Sequence, residues 1–178
     1  MRLFAALTTP AAVSSELAQW ARSWLARDGV RLLPARDLHL TLAFLGDRPR
    51  EELTALQTAV ESFTAKAPLL AVGAPLLLPH RHPRTVGVEV GDAGGDLWDL
   101  QRDLVGALAG AGSWEPPRRR FHPHVTLARM RSGTELTQLP PPTPQLVFAP
   151  VAIELLRSHL EPSGARYETL AETGFQAG

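Results

Sequence analysis

Two histidines, each followed two residues later by a threonine, recur in nearly the same setting: His39-Leu40-Thr41-Leu42-Ala43 and His124-Val125-Thr126-Leu127-Ala128. The copies lie 85 residues apart, close to half of a 178-residue chain, which points to an internal duplication. Both stretches read as strand. Leu38 to Leu45 is almost entirely apolar and stops at Gly46-Asp47; Val125 to Met130 is bounded by Pro123 and by Ser132-Gly133. On a strand, residues i and i+2 share one face about 7 Å apart, so each copy offers an imidazole and a hydroxyl side by side. Imidazoles, which titrate near neutrality, can act as general acid and general base, and hydroxyls can donate hydrogen bonds to an oxyanion. Two such pairs converging on one ligand suit the hydrolysis of a phosphodiester without a metal.

The elements that must position these pairs follow from periodicity and turn residues. Residues 2 to 8 read as a buried strand, and Thr9-Pro10 as an N-cap with proline at the first helical position. The helix that follows keeps Val13, Leu17, Trp20 and Trp24 on one face and stops at Gly29. Val30 to Leu33 and Leu38 to Leu45 are strands, and a second helix runs from about Pro49 to Thr64. Strands near 69–78 and 85–90 are joined by Pro79-His80-Arg81-His82-Pro83-Arg84; Asp96 to Leu108 is a third helix with Leu97, Leu100, Leu104 and Leu108 in one stripe. The strand at 124–130 carries the second motif. Pro140-Pro141-Pro142-Thr143-Pro144 is a stiff connector, and strands near 146–160 and 166–171 close the chain. This order predicts one α+β domain over residues 1–178, with two pseudo-symmetric lobes, each a mostly antiparallel sheet with outer helices.

Arg129 follows Thr126 by three residues, so a regular strand turns it to the face opposite His124, unless a bulge re-aims it. Phe44, five residues after His39, is also out of phase and reads as core, with a base-stacking contact to the substrate as the alternative. Arg118-Arg119-Arg120, just before the second motif, and Arg81 and Arg84 in the proline-rich loop are either solvated charges or guides for an RNA strand. His80, His82, His122 and His124 form two His-x-His pairs, but no Asp, Glu or Cys stands at companion spacing, so neither a metal nor another cofactor is expected.

Composition narrows the class. Formal charge is zero, so no global field draws the chain to nucleic acid or membrane. Seventeen of 18 cations are Arg, whose planar fork grips phosphate. The absence of Cys leaves no thiol nucleophile or disulfide framework, and the lack of a signal-peptide pattern or a long apolar run predicts a cytoplasmic protein with no membrane association. With one lysine, Lys66, and no glycine-rich phosphate loop, ligation through an adenylated lysine is not expected. Nothing demands more than a monomer.

The runs Leu38-His39-Leu40-Thr41-Leu42-Ala43-Phe44-Leu45-Gly46 and Phe121-His122-Pro123-His124-Val125-Thr126-Leu127-Ala128-Arg129 resemble the two signatures of the two-histidine (2H) phosphoesterase superfamily. They are most similar to its RNA 2′,3′-cyclic phosphodiesterases, also called 2′-5′ RNA ligases. The likeness extends to the opening strand Arg2-Leu3-Phe4-Ala5-Ala6-Leu7, to Pro83-Arg84, and to Ser158 with Gly164-Ala165-Arg166-Tyr167. It implies the same bilobal fold with an active-site cleft between the lobes, an RNA or oligonucleotide substrate ending in a 2′,3′-cyclic phosphate, and opening at the 3′ oxygen to leave a 2′-phosphate. It further implies His39 as proton donor, His124 as proton acceptor and Arg129 on the phosphate with the Thr41 and Thr126 hydroxyls. Taken alone, the two motifs are too alike to say which histidine is the acid. Action on a small cyclic nucleotide, or binding of RNA ends without catalysis, are the alternatives.

Overall fold

Among the described residues, apolar runs and their punctuation translate into nine strands and three main helices. The computed structural model describes residues 1–136, 138–161 and 164–176. The chain runs β1 (Arg2–Thr8), α1 (Ala11–Leu25), β2 (Val30–Leu32), β3 (His39–Asp47), α2 (Leu53–Glu61), β4 (Leu70–Leu78), β5 (Thr85–Gly91), α3 (Asp96–Gly110), β6 (His124–Met130), β7 (Val147–Phe148), β8 (Ala152–Glu161) and β9 (Gly164–Gly174). The strands form one sheet in the order β7-β4-β5-β6-β3-β1-β8-β9, with β2 also paired to β6. Every pairing between these strands is antiparallel.

The two motif strands are the hinge of this sheet. β3 and β6 meet at a single Cα pair, Leu40 with Val125, and both side chains are fully buried. β3, β1, β8 and β9 lie on one side of that joint and β6, β5, β4, β7 and β2 on the other, giving the two expected lobes. The helices lay their apolar stripes on one face: Val13, Leu17 and Trp24 of α1, Leu56 and Val60 of α2, and Leu97, Leu100, Leu104 and Leu108 of α3 are buried there with Leu40, Leu42, Leu45, Val125 and Leu127. β1 is apolar from Leu3 to Leu7 because both faces are covered there. Leu3, Ala5 and Leu7 join this core, while Phe4 and Ala6 pack with Leu156 on the opposite face.

Local differences from the sequence expectation have identifiable causes. Pro10 is the N-cap of α1 rather than its first helical residue, with an extended ψ of 142°. The Thr9 hydroxyl leaves the helix uncapped and donates instead to the Leu38 carbonyl at 3.1 Å, fixing the approach to His39. The segment expected to be helical from Pro49 opens as a 3₁₀ turn, Arg50–Glu52, and α2 proper ends at Glu61. The expected strand at 146–160 is two strands because Pro150 lacks an N–H for the ladder; pairing resumes where the Val151 N–H donates to the Thr8 carbonyl at 2.9 Å. The proline-rich connector is held at two points: Trp20 Nε1 of α1 donates to the Pro142 carbonyl, and Thr143 Oγ1 to that of Gly73 in β4.

Candidate active site

Each motif strand carries a β-bulge directly after its threonine. In the β1–β3 ladder Ala5 faces Ala43 and Ala6 faces Thr41, leaving Leu42 as the extra residue. In the β5–β6 ladder Val86 faces Ala128 and Gly87 faces Thr126, leaving Leu127 as the extra residue. The two heptads His39–Leu45 and His124–Met130 therefore share one burial pattern, with two consecutive buried residues where a regular strand would alternate. The bulge returns the fifth residue after each histidine to the histidine's own face. Phe44 is thus 62% exposed and not core, which corrects the expectation from strand phase. Arg129 is re-aimed in the same way, and its Nη1 donates to Thr85 Oγ1 at 2.6 Å. The half-sites are alike up to this position and then differ, with an aromatic ring on one and a guanidinium on the other.

The joint sets the histidines across from the opposite motif's threonines. One step either way from the Leu40–Val125 pair places His39 against Thr126 and Thr41 against His124. His39 Nδ1 lies 2.7 Å from the Asp37 carbonyl, and His124 Nδ1 lies 2.7 Å from the His122 carbonyl. A carbonyl only accepts, so each Nδ1 carries the proton and each Nε2 is the basic atom left for a ligand. Burial lowers both imidazoles below the ordinary histidine value. The remaining influences differ. At His39 the hydrogen bond to the Asp37 carbonyl and the Asp37 and Glu154 carboxylates oppose the effect of burial, with Arg129 acting the other way. At His124 only the His122 carbonyl opposes it, and His122, Arg129 and Arg119 all add to it. The Arg129 charge reaches both imidazoles.

Aromatic rings enclose the His39 half. Its ring centroid is 5.0 Å from Phe4 and 5.2 Å, edge-on, from Tyr167; Phe4 in turn lies 6.1 Å from Phe44. Tyr167 stays a phenol, its pKa raised by burial. Sequence reasoning placed Tyr167 and Phe4 only within a general resemblance, because Phe4 comes from β1, the neighbour of β3, and Tyr167 from β9, which is separated from β3 by β1 and β8 and meets the His39 ring only in the folded sheet. A cavity of about 660 Å³ opens next to His39, with Asp37, Glu154 and Tyr167 among its walls.

The arginines of the 118–120 run and of the proline-rich loop do not line that cavity. Arg118, Arg119 and Arg120 are exposed on the approach to β6, and the Arg119 charge is felt at His124. Arg81 is exposed in the β4–β5 hairpin, whereas Arg84 braces it, its Nε donating to the Met130 carbonyl at 3.2 Å. His122 pairs with Glu89 at 3.2 Å, and His159 with Glu168 at 2.7 Å. Among the described residues, no group of three or more His, Asp or Glu is arranged to hold a metal ion, and no helix is long and apolar enough to cross a membrane.

A profile of the 2′-5′ RNA ligase superfamily matches residues 9–161. The chain belongs to that family. It is therefore a hydrolase of the two-histidine phosphoesterase type. It is 31% identical over 182 residues to the RNA 2′,3′-cyclic phosphodiesterase of Thermus thermophilus, covering 96% of this chain and 88% of that protein. To the enzyme of that name from Escherichia coli it is 28% identical over 169 residues, 95% and 93% of the two chains. The fold agrees. A Thermus thermophilus crystal structure superposes with a TM-score of 0.84 at 28% identity, covering 98% of this chain and 97% of the other. The E. coli LigT complex with 3′-AMP gives 0.82 at 27% identity over 99% and 98%.

Proposed function

We propose that this protein hydrolyses RNA 2′,3′-cyclic phosphate ends to 2′-phosphomonoesters, without a metal or other cofactor, by acid–base catalysis between two histidines. The observation that carries the reading is the pair of Nε2 atoms offered from equivalent strand positions, each held by an Nδ1 bond to a carbonyl two residues earlier. A water oxygen bonds to phosphorus in line with the ring P–O3′ bond, which breaks. His124 takes the water's proton, and His39 delivers a proton to the departing 3′ oxygen. The carboxylates beside His39 and the cations beside His124 favour this assignment over its reverse.

Thr41, Thr126 and Arg129 would bind the non-bridging oxygens, whose charge rises in the pentacoordinate transition state. Phe44 offers a face on which an RNA base can stack, and Arg118, Arg119, Arg120, Arg81 and Arg84 would line the strand's approach. Microscopic reversibility allows weak, ATP-independent joining of such an end to a 5′-hydroxyl. The activity would belong to one bilobal domain over residues 1–178, acting as a cytoplasmic monomer free of membrane.

The test is a short RNA ending in a 2′,3′-cyclic phosphate, incubated in excess EDTA, with the phosphate position of the product identified. The expected product is a 2′-phosphate, with turnover reduced by about 10²- to 10⁴-fold in His39→Ala and in His124→Ala. Turnover of free cyclic mononucleotides alone would move the substrate to that smaller class. Binding without turnover would make the site a recognition module.

A further inference from the structure

The symmetry of the two motifs is broken next to His39 by a carboxylate that belongs to neither. Glu154 lies on β8, and its two oxygens are held from the strands on either side: Thr8 Oγ1 of β1 donates to Oε2 at 2.8 Å and Thr169 Oγ1 of β9 to Oε1 at 3.1 Å. Thr8 is the residue paired with His39 in the β1–β3 ladder. Glu154, Thr8 and His39 all wall the same cavity. Two hydroxyl donors consume only part of a carboxylate's accepting capacity and leave its charge in place. The clamp therefore holds a negative charge at a fixed position beside one histidine, on a rigid three-strand support.

We propose that Glu154 is a positioning residue for the reaction, whose clamped carboxylate favours the protonated His39 imidazole and so sets the direction of proton transfer through the site. This rests on the hydrolysis proposed above and on His39 as its acid. The charged and titratable groups that face His39 are few. Asp37 stands on its own approach, Glu154 comes from β8, Arg129 from β6 and Tyr167 from β9. Around the cavity, Arg36 neighbours Asp37, Arg166 pairs with Glu161, and Arg31 completes the wall. Asp37 is a near neighbour of Arg36, 3.9 Å away, whereas Glu154 is held by hydroxyls alone among the bonds described. At His124 the ladder partner is Glu89, whose carboxylate is taken by His122 at 3.2 Å, and among the described residues no carboxylate is among the influences on the His124 imidazole.

Proton donation requires His39 charged, so its ionisation sets the alkaline limb of the pH profile of kcat; removing an anion moves that limb to lower pH. Glu154→Gln is isosteric and keeps an oxygen acceptor and a polar partner for the threonines. On cyclic-phosphate RNA, it should lose about 3- to 10-fold in kcat above the limb and approach wild type well below it. Thr169→Val, which keeps the charge but loosens the clamp, should shift the limb less. In parallel, histidine NMR titration with inorganic phosphate bound should move His39 to lower pH in Glu154→Gln and leave His124 where it was. An unshifted alkaline limb, or an equal loss at every pH, would mean a merely structural carboxylate and would overturn the proposal. If wild-type protein turned over no cyclic-phosphate RNA, the hydrolysis reading would fail, and the NMR titration would still report whether Glu154 acts on His39.

Discussion

At the scale of single residues, the site's chemistry is governed by what burial does to two imidazoles. Both are held below the ordinary histidine value, so both are neutral in the free protein at neutral pH. An acid–base pair works between its two ionisations, and the pH profile of kcat/KM, which reports the free enzyme, should therefore peak below about pH 6.5. Bound phosphate favours imidazolium, so the kcat profile should peak at higher pH than the kcat/KM profile. Coincident profiles would show that the phosphate does not sit against these rings. The same shifts bear on stability. The folded chain binds fewer protons at these sites than the unfolded chain, so their contribution is complete above the unfolded value near 6.5 and is lost as pH falls through the folded values. Melting temperatures at pH 7.5 and pH 5 should differ less in His39→Ala than in wild type. Phe44 is a separate case. If a base stacks on it, Phe44→Ala should remove about 1–3 kcal/mol of oligonucleotide binding, seen as a raised KM with kcat largely kept.

At the scale of elements, the bulges after Thr41 and Thr126 place the fifth residue of each motif. The second bulge depends on Gly87, where an added Cβ would stand 2.4 Å from the Val125 carbonyl oxygen. Gly87→Ala must push β5 off β6 at the strand carrying His124 and Thr126. The expected outcome is a loss of about 1–3 kcal/mol in stability, measured by urea unfolding, with a fall in kcat even where the protein remains folded. Leu40 carries the joint between lobes. Leu40→Ala should cost about 2–5 kcal/mol, since its side chain is fully buried at the one Cα pair that joins β3 to β6.

At the scale of the whole molecule, formal charge is zero, and any attraction for RNA must come from local cation clusters. Arg118, Arg119 and Arg120 are the densest of these. If each meets a phosphate, replacing all three with Ala should flatten the salt dependence of kcat/KM by about 0.7 per lost contact on a log–log plot. An unchanged slope would return the run to a solvated loop. The helices, stacked on the face opposite the histidines, leave that face free for a ligand.

The proposed half-sites could be read from sequence. His39, Thr41, His124 and Thr126 were legible because a strand's period of two is local, and a duplicated local pattern survives without knowledge of the fold. The element order, the outer helices and the bilobal α+β class followed from periodicity for the same reason. Tertiary structure decided everything that depends on which strand lies beside which. It turned Phe44 and Arg129 onto the site through bulges that exist only against β1 and β5. It brought Tyr167, Phe4 and Glu154 to His39 across strands distant in sequence. It also made two near-identical motifs electrostatically unequal, because the charge around an imidazole is summed over space and not along the chain.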